Sequence, residues 1–79
     1  MINPFIGMQE IQELKDSDQF NYIVVYPVLN NKLEIIPFVD RSRAFKETVK
    51  VSESGQWVYM IELKDGHILA YLTGYCSKR

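Results

Sequence analysis

Seventy-nine residues, 47% of them hydrophobic and with a net charge of −1, describe one small domain without the bulk field that draws a protein to nucleic acid. One cysteine (Cys76) and one histidine (His67) exclude an intrachain disulfide and a cluster of soft metal ligands, so no metal and no cofactor is expected. A chain this short buries only about 60% of its unfolded surface, which leaves close packing or oligomerisation to stabilise it.

No apolar run approaches the roughly 20 residues of a membrane span. The N-terminus has neither a basic start nor an apolar stretch, so it does not read as a signal peptide, and the expected compartment is cytoplasmic. Charge is nevertheless uneven. Glu10, Glu13, Asp16 and Asp18 outweigh Lys15 near the start, whereas Lys32, Arg41, Arg43, Lys46 and Lys50 outweigh Glu34, Asp40 and Glu47 between 32 and 50.

The first element is a helix over about 3–16. Asn3 suits the N-cap and Pro4 the first helical position. Phe5, Met8, Ile11 and Leu14 form an apolar stripe with Glu10 and Glu13 opposite it, and Asp16-Ser17-Asp18 ends the helix. Strands follow at about 20–29 and 32–39, both dense in β-branched and aromatic residues. A three-residue loop closed by residues 28 and 32 puts Pro27 across from Leu33 and Pro37 across from Ile23. The same register places Ile23, Val25, Leu33, Ile35 and Val39 on one face.

"AFKETVKV" alternates, with Phe45, Val49 and Val51 pointing one way and Lys46, Thr48 and Lys50 the other, which predicts a third strand at about 44–52. Asp40 offers another reading, as the cap of a short helix running through Phe45. Gly55 suits the left-handed position of a turn. Strands at about 56–64 and 67–75 then meet through Asp65-Gly66 as a two-residue hairpin. That register pairs Leu63 with Ile68, Ile61 with Ala70, Tyr59 with Leu72 and Trp57 with Gly74. It also sets Lys46 across from Glu62, Thr48 across from Met60 and Lys50 across from Val58.

The expected fold is therefore α+β, a short helix followed by a five-stranded antiparallel meander. Two sheet faces are apolar. One carries Trp57, Tyr59, Ile61, Leu63, Ile68 and Leu72, the other Val58, Met60, Leu69 and Tyr71. One helix covers one face only. Either the sheet curls into a small barrel or the second face meets a partner, such as a second copy of the chain.

Two segments resemble known hairpins. "YIVVYPVLNNKLEIIPFVDRSRAF" resembles the closing strand pair and basic tail of RelE/ParE-type toxins over roughly a third of the chain. Too few residues precede it for the helical hairpin of those toxins, and Asp40 stands where a histidine is common. "WVYMIELKDGHILAYLTGYCSKR" resembles the opening hairpin of GIY-YIG nucleases, with Tyr59, Asp65, Gly66, Thr73 and Arg79 at matching places. Leu69 and Tyr71 depart from the second signature tripeptide, and no helix with a metal-binding glutamate follows. The helix-plus-strands order also resembles the Sm architecture of RNA-binding rings, without its glycine-bearing strand signature. None of these hairpin patterns is specific enough to imply an activity.

The sequence holds no hydrolytic triad, redox pair or phosphate-cradling glycine loop, and no enzyme is expected. The function that best fits is a non-enzymatic protein-binding module that masks a partner's surface, in the manner of small phage or mobile-element inhibitors. Its contact residues would be Met60, Leu69 and Tyr71 as apolar anchors with Arg41 and Arg43 as charged ones. The alternative is an RNA or single-stranded DNA module that stacks bases on Tyr22, Tyr26 and Tyr71 beside the basic 41–50 strip.

Overall fold

The computed structural model describes residues 9–73. Helix α1 (Gln9–Ser17) precedes strands β1 (Tyr22–Val28) and β2 (Lys32–Phe38), then helix α2 (Arg41–Glu53) and strands β3 (Trp57–Glu62) and β4 (Ile68–Thr73). The α+β class and the antiparallel sheet hold. Among the described residues the sheet has four strands, in the order β2-β1-β3-β4, and it is not the five-stranded consecutive meander expected. The caps at Asn3 and Pro4, with Phe5 and Met8, lie outside the described residues.

The first hairpin follows the sequence reading residue by residue. Val28 opposes Lys32, Pro27 opposes Leu33 and Ile23 opposes Pro37. Asn30 takes the left-handed conformation at φ 67° that the tight loop requires. The prolines sit where a missing donor costs little. Pro27 lies past the last β1–β3 pair, Val25 with Tyr59, and Pro37 lies on the edge strand β2. Val39, expected on the inner face, falls after the strand and is exposed.

The predicted third strand is helix α2. Asp40 is its N-cap, in extended backbone conformation, and its carboxylate accepts from the Ser42 amide at 3.4 Å. The helix buries Ala44, Thr48, Val51 and Ser52, a stripe with helical spacing made mostly of small residues. Thr48 is fully buried, and its hydroxyl donates to the Ala44 carbonyl at 2.8 Å, so the hydroxyl stays satisfied. Beyond the helix, Gly55 adopts φ +96°, the left-handed conformation that glycine reaches without strain. Phe45, read as inward-facing, is half exposed.

This helix changes the topology. β2 and β3 both run antiparallel to β1, so they are parallel to each other. A parallel link needs a crossover of a dozen or more residues, and the 13-residue α2 supplies it, passing over the sheet to reach β1's free side. The pairs proposed for Lys46, Thr48 and Lys50 with β3 therefore do not form. Each sheet face has a helix of its own. Ile23, Val25, Ile61 and Leu63 are buried on one face, with Ile11 and Leu14 of α1 packed against them. Val24, Val58 and Met60 are buried on the other beneath Ala44 and Val51 of α2. Among the described residues the sheet does not close into a barrel, and α2 lies over the face that the sequence left bare.

The β3–β4 hairpin forms with a different register. The Glu62 amide donates to the His67 carbonyl at 2.9 Å, so the loop spans four residues and the two-residue Asp65-Gly66 turn is not made. Ile61 opposes Ile68 and Met60 opposes Ala70, which leaves Leu69 as an extra residue in β4. Trp57 consequently faces Thr73. Its proposed partner Gly74 lies outside the described residues. Among the described residues no helix is long and apolar enough to cross a membrane.

Candidate functional site

The β4 bulge and the α2 N-terminus together shape a groove. The extra residue lets Leu69 and Ala70 both pack on the α2 face, alongside Met60. The first turn of α2 stands over them. The groove encloses about 510 Å³ and is lined by Asp40, Arg41, Ser42, Phe45, Met60, Leu69 and Ala70. Its floor and one wall are apolar, and its rim is charged. Phe45 is 50% exposed on a helix whose buried residues are Ala44, Thr48, Val51 and Ser52.

The rim charges are not equivalent. Asp40 is engaged by the Ser42 amide and hydroxyl and by Arg43, whose Nε lies 3.9 Å from Asp40 Oδ2. Arg41 makes no side-chain hydrogen bond or ion pair among the described residues, and it is exposed. It is thus a guanidinium at the mouth of an apolar groove, free to fork onto a carboxylate. Neither arginine reaches the acids of α1, which packs against the other face of the sheet.

The structure divides the five residues that the sequence singles out. Arg41, Met60 and Leu69 come together in the groove. Met60 is only 2% exposed, so it forms the floor and offers little surface of its own. Arg43 lies beside the groove in the Asp40 pair. Tyr71 is displaced. The bulge turns it to the opposite face, where it opposes Tyr59 and stacks on it with ring centres 4.4 Å apart. Phe45 is the groove residue that sequence reading missed, because period-two alternation placed it in the core.

The basic strip resolves into two parts. Arg43, Lys46 and Lys50 recur at helical spacing on the side of α2 away from its buried stripe, and all three are exposed. Arg41 belongs to the groove. Tyr22 and Tyr26 are half buried on the face that α2 covers, on the opposite side of the sheet from Tyr71. They do not form a joint stacking platform with Tyr71. Burial raises the Tyr26 phenol above its ordinary value of 10.0, and the carboxylates of Glu34, directly across the strand pair, and of Glu47 on α2 raise it further. No family model, no curated protein and no solved structure matches the chain.

Proposed function

We propose that the protein is a non-enzymatic protein-binding module whose contact surface is the groove between the first turn of α2 and strand β4. The observation that carries this reading is one juxtaposition. An apolar cleft with an exposed phenylalanine on its wall opens beside Arg41, which has no side-chain partner among the described residues. Aromatic and arginine anchors around a concave apolar floor are the composition that interface hot spots favour. The ligand that fits is an apolar side chain of a partner protein followed closely by an acidic one. The apolar group would displace water from Phe45, Leu69 and Ala70, and the acid would pair with Arg41.

The location adds a second means of recognition. β4 is an edge of the sheet, and no strand pairs with its outer side among the described residues. An extended partner segment can add main-chain hydrogen bonds there while its side chains enter the groove. The RNA or single-stranded DNA reading has less support. Its three tyrosines lie on two different faces, and each face is packed against a helix.

Affinity capture from the native cell, followed by mass spectrometry, tests the proposal when wild type is compared with three variants. Phe45→Asp and Arg41→Ala should each lose the captured protein while the melting temperature holds, because both side chains are exposed. Tyr71→Ala, on the other face, should retain it. A partner that survives both groove variants, or is lost only with Tyr71→Ala, contradicts the groove as the contact surface.

A further inference from the structure

The β3–β4 loop gathers side chains that the groove does not use. Glu62, Asp65 and His67 each present a ligand atom, and the three atoms lie within 4.8 Å of one another. The set is mixed, two carboxylates and an imidazole, and is more selective than a patch of acids. Its backbone is held closed. The Glu62 amide donates to the His67 carbonyl at 2.9 Å, and the Gly66 amide donates to the Glu62 carbonyl at 2.8 Å. Gly66 takes φ 72°, which folds the loop back so that Asp65 and His67 rise beside Glu62.

The charges in this cluster are not spent elsewhere. Glu62 is partly buried, yet none of the three side chains has a hydrogen bond or ion pair among the described residues. Lys15 and Lys64 share a depression with Glu62, and neither comes within ion-pair distance of it. Two carboxylates and an imidazole with no side-chain partner among the described residues leave their oxygen and nitrogen donors open to a cation.

We infer that Glu62, Asp65 and His67 form a binding site for a divalent transition-metal ion of the zinc or manganese type. Metal–nitrogen and metal–oxygen bonds of about 2.0–2.2 Å put neighbouring donor atoms about 3–3.5 Å apart, a small rotamer adjustment from the spacing seen. Imidazole with carboxylates suits zinc, and the carboxylates suit manganese. Calcium and magnesium, which favour all-oxygen shells, fit less well. Three protein ligands leave coordination positions for water or for a donor from another molecule.

Calorimetric titration of the chelator-stripped full chain with zinc and with manganese chloride tests this. One equivalent should bind, and the melting temperature should rise with metal concentration. His67→Ala and Asp65→Asn should each weaken binding at least about tenfold, since even outer-shell partners of a metal cost 10–100-fold. Both residues are exposed, so these variants should keep the wild-type circular dichroism spectrum. Cys76→Ser should bind as wild type does. The inference is overturned if neither metal binds, if the two turn variants bind undiminished, or if only Cys76→Ser loses the metal.

Discussion

Individual side chains set the clearest tests. Tyr26 keeps its proton more tightly in the fold than in the unfolded chain, first because it is partly buried and then because Glu34 and Glu47 oppose a phenolate. A raised folded value means that the associated stability is fully present below the ordinary tyrosine pKa. It is lost as pH climbs through the raised one. Denaturant titrations should therefore show falling stability on the alkaline side of about pH 10. Glu34→Gln should move the Tyr26 tyrosinate absorbance step back toward lower pH. A step that stays in place would remove the Glu34 contribution.

Ala44 is fully buried where α2 lies on the sheet. Ala44→Leu should cost about 1–3 kcal/mol by overpacking, read from the urea midpoint. Lys46→Ala should change almost nothing, because Lys46 stands exposed on the outer side of α2.

At the scale of elements, the first hairpin and the second helix show what sequence patterns can and cannot carry. In the hairpin, proline placement, turn chemistry and face alternation are independent constraints, and all three select the register that forms. In the 44–52 segment they conflict. Phe45, Val49 and Val51 advertise a strand because they are large and apolar, whereas the buried face of the helix is Ala44, Thr48, Val51 and Ser52. Small and hydroxylated residues give a weak hydrophobic signal even when they are the ones that let a helix approach a sheet. Only the Asp40 cap announced the helix, and its extent to Glu53 was not legible.

The same weakness hid the groove, since its wall is the half-exposed Phe45 and its shape depends on a one-residue bulge at Leu69. A bulge has no local sequence mark in "HILAYLT", yet it sends Tyr71 to the other face. Asp40→Ala should cost about 0.5–2 kcal/mol in thermal denaturation, the usual range for a lost N-cap. Because the cap also positions Arg41 over the groove, the same change should weaken partner capture more than Lys46→Ala does.

For the molecule as a whole, two helices lie on opposite faces of a small sheet that does not close into a barrel among the described residues. The proposed contact surface lies at one end of α2 and along the β4 edge. Partner contact at this place is the central claim. Amide hydrogen exchange of the protein, free and bound to its captured partner, tests it most directly. The account predicts added protection in the first turn of α2, from Arg41 through Phe45, and along β4 from Ile68 to Tyr71, with α1 and the β1–β2 hairpin unchanged. Protection confined to α1 or to the outer side of α2 at Lys46 and Lys50, with no change in β4, would contradict it.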